Sequence, residues 1–336
     1  MTDSIAVTII DNTRSLASLL DSLDGQPINP PSFYLDIEGI RLSRDGSISI
    51  IQLYHLPQNH VYLLDVFVLK QAAFDAPNDS GTTFRSILES AEIPKVFFDV
   101  RNDSDALFAH FNISLRGIQD LQLLELATGR FWLRTRVNGL ARCIKEDAGL
   151  SSDALHKWET VKCVGKRLFG PEYGGSYEVF HTRPLQQDII DYCSQDVVCL
   201  PKLWNVYMDK IDDEWLQRVQ EETENRVVQS QSSSYDPHSR EKTMSPWPSY
   251  LPGPKSKPAK VVDTVPAPAL ARSIDFEDLP GNANTKMWSC STCKRKVFGR
   301  GTPEQLLARA TSLVCFACTL TERCSGSPSY DISTFY

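Results

Sequence analysis

The stretch Phe33-Tyr34-Leu35-Asp36-Ile37-Glu38-Gly39 decides how the chain is read. Apolar and aromatic residues surround two acids, a composition that suits a strand in the middle of a sheet. Side chains alternate faces along a strand, so Asp36 and Glu38, two apart, leave the same face. Two carboxylates packed together on a buried strand repel and lose hydration unless a cation joins them. A hard divalent ion with oxygen ligands is the natural remedy. The bland alternative is that the strand ends at Gly39 and both acids point to water. Taken alone, so short a motif favours that alternative.

Working outward, the runs at 47–56 and 61–69 are rich in Ile, Val, Leu and Tyr and read as two further strands. Their links, Ser43-Arg44-Asp45-Gly46 and Pro57-Gln58-Asn59, are turn signals too short for crossover helices. The three strands are therefore expected to pair as an antiparallel meander. The pattern then predicts a helix at 84–91, a strand at 95–100, a helix opened by Asn102 and a short strand at 118–120. Helices follow at 121–128, 139–147 and 185–204, the last with Pro184 at its start. A meander followed by βα units makes an α/β fold, a mixed sheet with helices on its faces. Segment 151–182, with Gly174-Gly175, is read only as a candidate lining for a substrate channel.

Two more acidic groups stand beyond the first. Asp99, Asp103 and Asp105 follow the strand at 95–100, with Arg101 and Asn102 among them. The helix dipole favours acids at a helix N-terminus, which accounts for part of this cluster without any site. Tyr192 and Asp196 are four apart, on one helical face and one turn from each other. Each pattern alone is weak. Their order and spacing along one chain are not.

Taken together, Tyr34-Leu35-Asp36-Ile37-Glu38-Gly39, Lys95-Val96-Phe97-Phe98-Asp99-Val100-Arg101-Asn102-Asp103 and Asp191-Tyr192-Cys193-Ser194-Gln195-Asp196-Val197 resemble the DEDD exonuclease superfamily. A tyrosine four before the last aspartate is similar to the Tyr-type branch, closest to RNase D-like domains. The likeness covers roughly residues 30–210 and takes in Gln52, the run 61–65, Asp120 and Arg183-Pro184-Leu185. It implies an RNase H-like fold and a metal-dependent 3′-5′ exonuclease. Such an enzyme hydrolyses a terminal phosphodiester of RNA or single-stranded DNA and releases nucleoside 5′-monophosphates. The resemblance implies two Mg²⁺ or Mn²⁺ ions, both bridged by Asp36. Glu38 and Asp196 would complete the ion on the nucleophile side, Asp103 would hold the other through water, and Tyr192 would orient the attacking water. Asp105 is acidic too, so the second motif can slip by two residues; the distance from the strand end favours Asp103. Some relatives have lost their acids and act as RNA-binding adaptors, whereas here every position is filled.

Residues 223–280 hold nine of the 20 prolines and a Gln/Ser run at 229–234. That composition reads as a disordered linker. It follows a catalytic domain at 5–222 and precedes a cysteine-bearing unit at 282–324 and a tail at 325–336. In that unit Cys290 and Cys293 form one CxxC pair and Cys315 and Cys318 another, with 21 residues between the pairs. The spacing matches a zinc-ribbon-like Cys₄ site holding one structural Zn²⁺. Lys294, Arg295, Lys296 and Arg300, near Trp288 and Phe298, are candidate nucleic-acid contacts. They read equally as the solvated face of a very small unit, and the unit itself as a docking module for a protein partner. Cys143, Cys163, Cys193 and Cys199 are read as core packing.

Composition bounds these readings. The 336 residues are 41% hydrophobic and 23% charged, the balance of a soluble globular protein. The net charge of −7 argues against a protein that coats nucleic acid through a basic surface, but leaves room for a metal-loaded acidic site. The run at 61–69 carries Asp65, and no apolar run is long enough to span a membrane. No charged segment followed by an apolar stretch opens the chain. An intracellular protein, cytoplasmic or nuclear and not secreted, is therefore expected.

Overall fold

A computed structural model describes residues 5–129 and 135–248, together with the strands Thr285–Ser289 and Lys296–Arg300. Three strands, β2 (Phe33–Glu38), β3 (Ile50–His55) and β4 (His60–Asp65), form the expected antiparallel meander, with Asp36 opposite Gln52 and Glu38 opposite Ile50. On one side β2 is joined in parallel by β5 (Lys95–Phe97), and β5 by β6 (Ile118–Asp120). On the other, β1 (Ala6–Ile10), which the pattern did not announce, runs parallel to β4. The six-stranded order is β1-β4-β3-β2-β5-β6, so β2 is central.

Helices cover both faces. One layer holds α1 (Thr13–Leu23), α3 (Ala72–Asp75), α4 (Phe84–Glu89) and α5 (Arg101–Phe111), which pack on Phe33, Leu35 and Ile37 of β2. The other holds α6 (Leu121–Thr128), α7 (Leu140–Asp147), α8 (Ser152–Phe169) and α9 (Gln187–Lys210), which pack on Tyr34. This is the mixed, helix-flanked sheet of an RNase H-like fold. Among the described residues no helix is long and apolar enough to cross a membrane.

Three expectations are corrected. The apolar run at 61–69 is a strand only as far as Asp65, whose carboxylate accepts the Val68 N–H at 3.0 Å and caps the one-turn helix α2 (Val66–Leu69). A cap here outweighs the β-propensity of the residues that follow. The strand at 95–100 stops at Phe97, because Asp99 turns the chain at φ 62° and hands it to α5. Residues 223–248, expected to be disordered, are folded. The helix α10 (Asp213–Gln231) buries Trp215, Val219, Thr223, Arg226 and Val227. The chain then returns over α5, where Tyr235 donates to Asn102 at 2.9 Å and Arg101 donates to the Lys242 carbonyl at 3.0 Å. Trp247 ends this return against Trp215, ring edge to face. The polar composition that suggested disorder is here spent on ion pairs and hydrogen bonds.

The chain divides into two compact units, 1–259 and 260–336. In the second, β7 (Thr285–Ser289) and β8 (Lys296–Arg300) pair antiparallel, Thr285 opposite Arg300. The zinc ligands expected at Cys290, Cys293, Cys315 and Cys318, and the basic residues Lys294 and Arg295, lie outside the described residues, as do 249–280 of the linker. Lys296 and Arg300 are described only as backbone positions of β8.

Arg226 is 3% exposed and donates to Asp120 at 2.8 Å and to the Gln122 side chain at 3.0 Å. Removing one partner of a buried ion pair leaves an uncompensated charge. Arg226→Met should therefore lower the urea unfolding free energy by roughly 3–5 kcal/mol. A chain ending at residue 225 should be destabilised in the same way, while one ending at 248 should keep the full-length midpoint. An unchanged midpoint in Arg226→Met would show that this pair does not fix α10.

Candidate active site

Even-numbered residues of β2 face the α6–α9 layer, so Asp36 and Glu38 leave the sheet towards α9. Helix α9 crosses β2 and β3 and presents Tyr192 and Asp196, both buried and one turn apart, to those acids. The fourth acid arrives from the other side. Asp120 accepts the backbone N–H groups of Asp99 at 3.0 Å and Val100 at 3.3 Å, which holds the turn between β5 and α5. Asp103, in the first turn of α5, is thereby buried beside Asp36 and Glu38.

The two aspartates of the second motif are placed differently. Asp103 faces the other acids, whereas Asp105 is turned away and held by Arg44, whose Nε donates at 2.7 Å and backbone N–H at 2.8 Å. Asp99 is clamped by Arg101 at 2.6 and 2.7 Å. Gln52, opposite Asp36 in register, is fully buried. Cys143, Cys193 and Cys199 are core residues as expected, but Cys163 is exposed on α8.

The acids are in electrostatic distress. Burial and then the Asp196 charge push Asp36 up to about 7. Burial and then the Asp36 charge push Glu38 up to about 8, against partial relief from Lys162 and the Tyr192 hydroxyl. Burial, Asp36 and Asp99 raise Asp103 well above the carboxylate range. One carboxylate oxygen of Asp103 and one of Asp196 are buried without a hydrogen-bond partner. Orphaned oxygens on clustered, mutually repelling carboxylates are the donor set a hard divalent cation satisfies. Among the described residues no three His, Cys, Asp or Glu side chains form a ready-made metal cage. Asp36 and Glu38 each keep part of their surface exposed.

Three residues that sequence reading did not single out surround Tyr192, all on α8. Lys162 pairs with Asp196, donates to the Tyr192 hydroxyl at 3.3 Å and lies over the Tyr192 ring, 4.3 Å from its centre. A Cβ on Gly165 would stand 2.4 Å from Cδ2 of Tyr192, so only glycine lets α8 approach this closely. The Phe169 ring meets Tyr192 edge-on at 5.0 Å. A glycine inside a stretch of helical pattern was the one available signal, since such a residue often marks a close approach.

A central strand carrying two acids is thus faced by one acid from each of two helices. The family model described as 3′-5′ exonuclease matches residues 7–212, and the chain belongs to that family of nucleic-acid hydrolases. No curated protein matches the chain. The fold is similar to that of RNase D from Trypanosoma brucei in a complex with U12 RNA. There the TM-score is 0.55 and the identity 22%, over 72% of this chain and 76% of that one. A further structure of RNase D from Trypanosoma brucei gives 0.55 and 24%, over 73% and 80%. The complex of that enzyme with GMP gives 0.56 and 23%, over 71% and 69%.

In EDTA the folded chain takes up protons at Asp36 and Glu38 that the unfolded chain, titrating near 3.8 and 4.5, does not. Folded pKa values above unfolded ones mean that the contribution of these two acids to stability is greatest at low pH and is lost as pH rises from about 4 to about 8. Asp36→Asn should flatten this decline, measured as urea midpoints across that range. Equal slopes in the two proteins would contradict the clustering of charge.

Proposed function

We propose that this protein is a metal-dependent 3′-5′ exonuclease of the Tyr-type DEDD branch. It removes nucleoside 5′-monophosphates one at a time from the 3′ end of single-stranded nucleic acid, RNA or DNA. The observation that carries this reading is the convergence of Asp36, Glu38, Asp103 and Asp196, two of them with orphaned oxygens, around Tyr192.

Those four carboxylates would hold two divalent ions, Mg²⁺ or Mn²⁺. Bound there, such ions act as Lewis acids that favour the attacking and leaving oxygens. The chain's own groups do the positioning. Burial raises the Tyr192 hydroxyl so far that it stays protonated at all working pH values. It therefore serves as a hydrogen-bonding group that orients the attacking water beside Glu38, and not as a base. Phe169 and Gly165 fix its ring from the α8 side. The α5 helix holds Asp103 at the opposite wall of the cleft, and the Asp120 clamp on the preceding turn keeps it there.

In this reading the catalytic unit extends to about residue 248. A linker at 249–280 then leads to a Cys₄ zinc unit at 282–324, with a tail at 325–336. The basic residues Lys294, Arg295, Lys296 and Arg300 would guide the strand, or the unit would dock a protein partner. A second reading, a non-catalytic RNA-binding adaptor on the same fold, has one observation in its favour. Lys162 pairs with Asp196 and so balances one of the four acidic charges from within the chain.

Incubation of the full chain with 5′-labelled single-stranded RNA and DNA, in Mg²⁺, Mn²⁺ or EDTA, separates the two. A ladder of 3′-shortened products with metal, absent in EDTA and in Asp36→Asn, is expected; intact substrate under every condition would establish the adaptor. Asp103→Asn should lower the rate at least 100-fold and Asp105→Asn far less. Tyr192→Phe should reduce the rate while sparing nucleic-acid affinity. Similar small losses in both aspartate variants would remove α5 from the site.

A further inference from the structure

The site already contains a cation, the ammonium of Lys162, and its placement is built into the helix packing. Lys162, Gly165 and Phe169 follow one another at intervals of three and four along α8 and so share one face. That face is pressed onto Tyr192: the absent Cβ of Gly165 is what permits the approach, and Phe169 closes the far side of the ring. Held this close, the Lys162 side chain is only 16% exposed, with its stem buried and its head directed at Asp196 and the Tyr192 hydroxyl. Among the described residues it makes no ion pair outside the site. A lysine that merely covered α9 would carry its charge out to water along its flexible stem.

Charge balance says what the ammonium is for. Four carboxylates match two divalent ions, so the loaded site is neutral apart from Lys162. A phosphodiester brings a single negative charge, and an ammonium is the matching single positive one. Its three donors, carried on a stem with rotatable bonds, can exchange a carboxylate oxygen for a phosphate oxygen through a small turn of the ammonium and without moving the helix.

On the reading given above, we propose that Lys162 is a further catalytic residue of this exonuclease. It holds Asp196 while the site is empty and meets a non-bridging oxygen of the scissile phosphate when substrate is bound. No bond to Lys162 forms or breaks. It remains protonated and contributes hydrogen bonds and charge as negative charge builds on the phosphate. Because it occupies Asp196 in the empty site, it also competes with divalent ions there.

The test uses the full chain and the variants Lys162→Met and Lys162→Arg, with Asp36→Asn as a reference and thermal melting to verify folding. Calorimetric titration with Mn²⁺ alone should give binding to Lys162→Met as tight as wild type or several-fold tighter. Binding of a nucleoside 5′-monophosphate in Ca²⁺ should weaken about 10-fold, since a charge-assisted contact is lost. The single-turnover rate on a labelled oligonucleotide should fall about 100-fold, as when one preorganised donor to developing charge is removed. Lys162→Arg should recover a substantial part of both. The proposal is overturned if folded Lys162→Met keeps wild-type nucleotide affinity and rate. It is equally overturned if that variant loses Mn²⁺ binding, because Lys162 would then organise the acids instead of meeting the phosphate. Full activity in Asp36→Asn would instead refute the exonuclease assignment itself.

Discussion

Four carboxylates lie near one another where a central strand meets two helices, and their burial together with their mutual repulsion is the constraint that the rest of the fold answers. Asp36 and Glu38 are driven up to about 7 and about 8, and Asp103 higher than any ordinary carboxylate. A fold tolerates such a cluster only when the surrounding packing holds it in place and something of opposite charge repays the desolvation. Strained, over-determined polar groups of this kind belong to functional sites.

The supporting structure lies mostly outside the acids. Asp120 binds the backbone of Asp99 and Val100, caps α6 through the Gln122 N–H at 2.9 Å and receives Arg226 from α10. One carboxylate thus ties the sheet edge to two helices and to the turn that aims Asp103. Arg44 performs a similar service for the first turns of α5, gripping Asp105 and donating to the carbonyls of Ser230 and Ser232 at 2.8 Å. The same helix turn therefore presents one aspartate to the site and spends another on the scaffold. On the opposite wall Arg183 pairs with Asp65, which fixes the entry to α9 against the end of β4. Tyr192 and Asp196 inherit their positions from that anchor.

How much of this was legible depended on whether the signal was local. The two-residue period of β2 and the four-residue spacing of Tyr192 and Asp196 are backbone geometry written directly into sequence. They put Asp36 and Glu38 on one face of the strand and Tyr192 and Asp196 on one face of the helix. The meander was legible for the same reason, because its turns are too short for anything else. The end of β4 at Asp65 was not, since a single cap had to be weighed against the propensity of a continuous apolar run. β1 joins β4 across a separation of more than fifty residues, a pairing that no local pattern encodes. The linker was misjudged over 223–248 because composition measures what a segment can bury unaided, while Arg226 and Tyr235 are satisfied by partners more than a hundred residues away. Lys162 was hidden for a similar reason: one lysine among several on α8 is marked only by what the fold sets beside it.

Mn²⁺ bound to the protein tests most directly whether the four acids act as one cation-binding unit. Electron paramagnetic resonance of Mn²⁺ titrated into the full chain with a nucleoside 5′-monophosphate should show two ions bound per chain. In Asp36→Asn at least one of them should be lost, with the fold unchanged by circular dichroism. Wild-type Mn²⁺ stoichiometry and affinity in folded Asp36→Asn would contradict the claim, and with it the assignment of these acids to the chemistry.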